Sequence, residues 1–96
     1  MNFKSREEVE HIRKLYPKGT QIVLKYMDDF QAPPSGTVGE VTHVDDIGQI
    51  HWTGCGLALN VDEDIFYRID KYGFLIDEDG ERIHWRITFI YYDCTI

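Results

Sequence analysis

The sequence predicts a mainly β protein with one N-terminal helix, in which short strands form a small β-barrel extended by a C-terminal β-hairpin. After residue 16 the apolar periodicity changes from helical to alternating. Short segments rich in β-branched and aromatic residues then follow one another, separated by turn residues, as in small barrels and curled sheets. The 96 residues, 43% of them hydrophobic, can bury one modest core. We therefore expect a single domain over residues 1–96.

The first predicted element is a short amphipathic helix over residues 5–16. Ser5, followed three residues later by a glutamate, forms a capping box at its start. Val9 and Ile12 belong to an apolar stripe at helical spacing, and the other side of the helix is charged. Pro17 ends the helix.

The barrel is predicted over residues 20–69. A loop with two consecutive prolines, Pro33 and Pro34, separates its first two strands, whereas 45–48 is a turn. Residues 61–64 form a single helical turn or a loop before the last barrel strand. The predicted strands are 22–26, 37–44, 49–53, 57–60 and 65–69.

The C-terminal hairpin is predicted over residues 73–92. Apolar and polar residues alternate over most of its second strand, which starts at Arg82. Asp79 and Gly80 are a hairpin turn signal, so we expect residues 74–76 to pair with that strand.

A series of short motifs between residues 16 and 52 resembles a known family. The motifs are Tyr16-Pro-Lys-Gly-Thr, Met27-Asp-Asp, Gln31-Ala-Pro-Pro, Gly36-Thr-Val-Gly and Val44-Asp-Asp-Ile-Gly-Gln-Ile-His-Trp. Over residues 16–69 the chain is similar to the family called domain of unknown function 4314, found in Gram-positive bacteria, their phages and mobile elements. The resemblance implies an SH3-like small barrel and no known activity. Residues 70–96 lie outside it.

Charge and composition exclude several classes of protein. The formal net charge is −7, which disfavours general binding to phosphate backbones or to anionic lipid. No apolar run approaches the roughly 18 residues that a membrane span needs. Because the N-terminus has no apolar signal region and the two cysteines are too few for a disulfide framework, we expect a cytoplasmic protein with free thiols.

The negative charge is concentrated in the middle of the chain. Residues 27–81 carry a net charge of −11, whereas residues 1–26 carry +3. If consecutive strands run antiparallel, the turns near 45, 62 and 77 lie at one end of the barrel. The carboxylates that would meet there are Asp45, Asp46, Asp62, Glu63, Asp64, Asp77, Glu78 and Asp79.

Three interpretations of these carboxylates stay open. They are ordinary solvated turn residues, ligands for a hard cation such as calcium, or a surface that imitates nucleic-acid phosphates and binds a basic protein. Aromatic residues supply further contact candidates, since they dominate binding hot spots. These candidates are Tyr92, which we place on the exposed face of the last strand, with Trp52, Tyr72, Trp85 and Tyr91.

The residues predict a non-catalytic binding module without a cofactor or a metal. His43, His51 and Cys55 lack the spacing of a zinc site, and no nucleophile has a recognisable activating partner. The favoured hypothesis is protein–protein contact, in its sharper form a mobile-element inhibitor of a host nucleic-acid enzyme. The alternative is a barrel that binds nucleic acid, and a metal-dependent hydrolase is a third possibility. The basic residues available for nucleic acid are Lys4, Arg6, Arg13, Lys14 and Lys18, with Arg82 and Arg86.

Overall fold

Helix α1 begins where the capping box predicts. The computed structural model describes residues 4–86, with side chains as far as Ile83, and places α1 at Arg6–Leu15. The Oγ of the N-cap Ser5 accepts a hydrogen bond from the Glu8 amide at 3.1 Å. The helix buries Val9 and Ile12 against the sheet, in agreement with the apolar stripe.

Among the described residues, six antiparallel strands follow the helix and form one sheet. They are β1 (Gln21–Tyr26), β2 (Val38–Val44), β3 (Ile50–Trp52), β4 (Ile65–Ile69), β5 (Phe74–Ile76) and β6 (Arg82–Arg86). The order across the sheet is β3-β2-β1-β4-β5-β6. The prediction of a mainly β fold with one N-terminal helix is therefore confirmed. Over the described residues the sheet does not close into a barrel, and the SH3-like assignment stays a prediction.

Strand β1 is central, which explains its apolar sequence. It pairs with β2 on one side and β4 on the other, so that Ile22 faces Gly39 across one ladder and Arg68 across the other. Both faces of β1 are covered, because Ile22 and Val23 point to opposite faces and each has no exposed surface.

The two faces of the sheet carry separate cores. The larger core contains Ile12 of the helix together with Leu24, Ile50 and Leu59, so the helix lies over that face. A smaller cluster on the other face contains Val23, Ile69 and Leu75. The close packing of the first core is visible at Gly39, where a Cβ atom would lie 2.5 Å from the ring of Trp52.

The predicted strand at 57–60 is wrong. Only Leu59 makes a bridge, to Ile50, and the chain then forms a helical turn. The Asp64 amide donates to the Asn60 carbonyl at 2.9 Å, and the Asp64 carboxylate accepts from the Asn60 amide at 2.8 Å. These local bonds satisfy the backbone where a strand ladder would otherwise do so, and they confirm the turn predicted at 61–64.

The C-terminal hairpin is confirmed as far as it is described. β5 pairs with β6 through Phe74 and Arg86, and the intervening turn is closed by a bond from the Gly80 amide to the Asp77 carbonyl at 3.0 Å. The remainder of the predicted hairpin, residues 87–92 with Tyr92, lies outside the described residues.

Within residues 4–86 no helix is long and apolar enough to cross a membrane.

Candidate interaction surface

Asp45 organises the turn between β2 and β3. Its Oδ1 accepts from the amides of Ile47 at 3.1 Å and Gln49 at 2.9 Å, and its Oδ2 lies 2.8 Å from Nε2 of His51. Burial alone would raise the pKa of Asp45, but the hydrogen bonds from His51 and the two amides outweigh it and lower that pKa. Asp45 therefore acts first as a structural residue of the turn.

Two carboxylates, which we call the helix-facing carboxylates, are paired with basic residues at helix α1. Asp46 lies 3.0 Å from Nη2 of Arg13, and Asp62 lies 2.7 Å from Nζ of Lys4. Gly48 brings the turn against the helix, because a Cβ there would lie 2.8 Å from Cδ of Lys4. The basic helix and the acidic loops, which the sequence presents as separate segments, are thus in direct contact.

Four further carboxylates line a groove between the 27–36 loop and the 60–64 turn. The lining also includes apolar surface from Met27, Leu57 and Ala58. We call the four acidic residues the groove carboxylates; they are Asp28, Asp29, Glu63 and Asp64. In the part of the chain that the structure describes, none of them forms an ion pair with Lys or Arg.

The third acidic loop is the turn between β5 and β6. The Oδ1 of Asp77 accepts from the amides of Asp79 at 2.9 Å and Glu81 at 3.0 Å, while Glu78 and Asp79 are exposed. Arg68 links this turn to the end of the helix, because its guanidinium donates to the Asp77 carbonyl and, at 3.1 Å, to the Leu15 carbonyl. The guanidinium thus satisfies backbone carbonyls, and among the described residues it forms no ion pair with a carboxylate.

Tyr16, next to this link, has a raised pKa. Burial is the largest cause, and the nearby negative charge of Glu78 adds to it, whereas the positive charge of Arg68 acts in the opposite direction. The ring of Tyr16 packs against Phe66 with 5.7 Å between centroids. Tyr16 is therefore a packing residue between helix and sheet.

The three acidic loops do not turn at one end of the sheet, and that prediction is wrong. Leu59 bridges antiparallel to Ile50, so the chain there runs in the same direction as β2 and as β4. The 60–64 turn therefore carries the chain along the sheet without reversing it. As a result, the turns at 45–48 and 77–80 extend in opposite strand directions.

The aromatic contact candidates differ in their exposure to solvent. Trp52 is 5% exposed and donates from Nε1 to the Leu57 carbonyl at 3.0 Å, so its prediction as a surface contact is wrong. Its indole fits the core because the polar N–H has a backbone partner. Tyr72 is exposed, as expected. Sequence reasoning missed Phe30, which is 95% exposed and whose neighbours in the chain are polar or acidic.

The histidines and the cysteine considered for zinc lie near one another without forming a metal site. His43 and His51 stack across β2 and β3 with ring centroids 4.3 Å apart, and His51 is bonded to Asp45. The thiol of Cys55 donates to the Leu57 carbonyl at 3.5 Å. Over the described residues no three His, Cys, Asp or Glu side chains are placed to hold a metal ion.

The fold and its loops define a small, helix-capped antiparallel β protein with acidic loops on its surface. The chain belongs to the family described as Domain of unknown function (DUF4314), whose model matches residues 5–69. The family assignment suggested by the sequence is thus confirmed, and the match includes helix α1. No curated protein sequence matches the chain, and no solved structure matches it.

Proposed function

We propose that this chain is a non-catalytic binding module that acts in the cytoplasm by contact with a protein whose surface is basic. The observation that carries the proposal is the set of carboxylates without a basic partner among the described residues. This set includes the four groove carboxylates and, in the turn between β5 and β6, Asp77, Glu78 and Asp79. Clustered charge of one sign accelerates association with a complementary surface and selects against other partners.

In its more specific form, the proposal makes the protein an inhibitor of a host nucleic-acid enzyme, of the anti-CRISPR type. The acidic loops would occupy the groove in which the enzyme binds a phosphate backbone. Two features support this form: the net charge of −11 over residues 27–81 and the resemblance to a family that occurs in phages and mobile elements.

The test is a comparison of two charge-reduced variants in capture from host lysate. The groove variant carries Asp28→Asn, Asp29→Asn and Glu63→Gln, and the control carries Asp46→Asn and Asp62→Asn at the helix-facing carboxylates. We expect wild type and control to capture the same protein, and the groove variant not to capture it. We also expect wild type to lose this protein at about 0.5 M salt. Capture that is insensitive both to salt and to the groove variant would contradict the proposal.

The alternative function, nucleic-acid binding through the helix, has less support. Lys4 and Arg13 are engaged with Asp62 and Asp46, and Arg82 is paired with Asp70 at 2.6 Å. These pairs remove positive charge that phosphate contacts would need. A gel shift of labelled DNA and RNA at about 0.1 M salt separates the two functions. A shift would favour the alternative.

A further inference from the structure

Exposed apolar side chains gather at one end of the sheet, where β1 ends and β2 and β4 begin. Tyr26 is 52% exposed, Val38 and Ile65 are each 44% exposed, and Phe30 is 95% exposed. We call these four residues the loop-end patch. They are four of the seven large apolar side chains that are exposed among the described residues, so the exposure is concentrated at this end.

The register places three of these residues on one face of the sheet. Tyr26 is paired with Ile65 of β4. Val23 of β1 is paired with Val38 of β2 on one side and with Tyr67 of β4 on the other. Because paired residues share a face and side chains alternate along a strand, Val38 and Ile65 lie on the same face. The irregularity between Leu24 and Tyr26 brings Tyr26 onto that face as well.

Phe30 is held outward at the tip of the loop between β1 and β2. The Ala32 amide donates to the Asp29 carbonyl at 3.0 Å, and the Gln31 amide donates to the Asp29 carboxylate at 2.8 Å. At the base of the loop, the Leu24 amide donates to the Thr37 carbonyl at 2.9 Å. The tight turn leaves the phenyl ring in water, although burying a Phe side chain is favourable.

The charges beside the patch decide what can cover it. Asp28 and Asp29 lie between Tyr26 and Phe30 in the chain, and Glu63 and Asp64 directly precede Ile65. A second copy of this chain would bring the same carboxylates face to face, which like-charge repulsion opposes. An anionic membrane is disfavoured for the same reason.

From this placement we infer that the loop-end patch is the docking surface for a protein whose apolar contact area is bordered by Lys and Arg side chains. Phe30 enters the partner's apolar area, and the basic residues around that area meet the groove carboxylates. The inference rests on the proposed function and names the surface through which it acts. Aromatic side chains at the centre of an interface dominate its binding energy, and a charged border adds specificity.

Site-specific photocrosslinking of the full chain in host lysate tests this inference. Three proteins are compared: Phe30→p-benzoylphenylalanine, Glu78→p-benzoylphenylalanine, and Tyr72→p-benzoylphenylalanine as an exposed aromatic control on another turn. We expect an adduct from position 30 only, formed at about 50 mM salt and lost at about 0.5 M. Sequencing of the adduct is expected to place the crosslink on an apolar residue within a few positions of Lys or Arg.

The other outcomes each overturn a defined part of the argument. An adduct from position 78 without one from position 30 leaves the proposed function standing and removes the loop-end patch. Equal adducts from positions 30 and 72, a crosslink to nucleic acid or to a second copy, or an acidic crosslinked peptide also overturn the docking surface. The absence of any adduct overturns both the patch and the proposed function.

A binding measurement with the crosslinked partner, once purified, separates docking from folding. We expect Phe30→Ala to weaken binding at least about tenfold, the scale of a hot-spot aromatic, with the urea midpoint unchanged because the ring has almost no contacts to lose. Tyr72→Ala is the matched control and is expected to leave affinity unchanged. Equal affinities for wild type and Phe30→Ala would overturn the inference.

Discussion

The helix-facing carboxylates and the groove carboxylates have the same chemistry and very different surroundings. Asp46 and Asp62 lie within 3.0 Å of a basic side chain at the helix, whereas the groove carboxylates have no Lys or Arg partner among the described residues. Both sets occupy loops next to strands. For these two sets, position next to helix α1, and not the local sequence, decides whether a carboxylate has a basic neighbour among the described residues.

The difference also separates stabilisation from recognition. Exposed ion pairs contribute at most about 1 kcal/mol to folding, so the contact between helix and sheet depends mainly on Val9 and Ile12. Unpaired like charges oppose folding slightly and increase the local negative potential. We therefore expect changes at the helix to act on stability, and changes at the groove to act on binding.

The largest expected effect follows from removing the apolar contact of the helix. Ile12 is 6% exposed within the main core, so Ile12→Ala is expected to lower the free energy of unfolding by about 2–4 kcal/mol. Urea unfolding measures the change. The exposed Lys14→Ala on the same helix is the control, expected to stay within about 0.5 kcal/mol. A loss below about 1 kcal/mol for Ile12→Ala would mean that the helix does not depend on this contact.

The second effect tests how closely the helix and the β2–β3 turn fit together. Gly48 has φ +85° and a neighbouring Lys4 atom 2.8 Å from where a Cβ would lie, whereas Gly80 has φ +81° and open space. We expect Gly80→Ala to cost about 1 kcal/mol from backbone strain alone, and Gly48→Ala about 2 kcal/mol. Both are measured by urea unfolding. Equal losses would show that the helix moves aside freely.

The third effect is a dependence of stability on pH that arises at Asp45. Its pKa is lowered in the folded state, so the unfolded chain binds the proton more readily, and the stabilisation is lost as pH falls below about 4. Asp45→Asn keeps an oxygen acceptor for the two turn amides but has no charge to titrate. We expect the urea midpoint of this variant to fall less steeply than wild type between about pH 5 and pH 3. If the urea midpoints of wild type and Asp45→Asn fall equally steeply with pH, Asp45 is not a source of the acid sensitivity.

The smallest effect compares the two sets of carboxylates directly. At low salt, Asp62→Asn removes an ion pair and is expected to lower stability by less than about 1 kcal/mol. Glu63→Gln, at a groove residue without a basic partner among the described residues, is expected to leave stability unchanged or to raise it by less than about 0.5 kcal/mol. Thermal unfolding measures both variants at about 20 mM and about 0.5 M salt. We expect their stabilities to differ at the lower concentration and to become similar at the higher one, where salt screens the charges. The same sign of change for both would contradict the distinction.

Much of the fold was predictable because its signals are local. The capping box placed the start of helix α1, and the apolar pattern located β1 to β5 and the start of β6 within a residue or two. The segment at 57–60 failed because its propensity is extended while its backbone partners are supplied by the turn that follows. Because of that single failure, the strands after residue 64 run in the direction opposite to the predicted one, and the 77–80 turn lies at the other end of the sheet.

The candidate surface was less predictable than the fold. The sequence located every acidic loop, but it did not show that Lys4 and Arg13 pair with Asp62 and Asp46, because these partners are separated by 58 and 33 residues. Trp52 is buried although it was a contact candidate, and the exposed Phe30 was not among the candidates. The sequence around an aromatic residue in a strand does not show which face of the sheet other parts of the chain will cover.

The sequence by itself determined the helix and the named strands of this protein and the family to which the chain belongs. Local propensity, capping and periodicity act over a few residues, so they can be interpreted before the chain is folded. Only the tertiary structure decided which carboxylates the helix neutralises, which apolar side chains remain in water and where Phe30 projects. Those outcomes depend on distances between residues far apart in the chain, which are established by packing around both faces of β1.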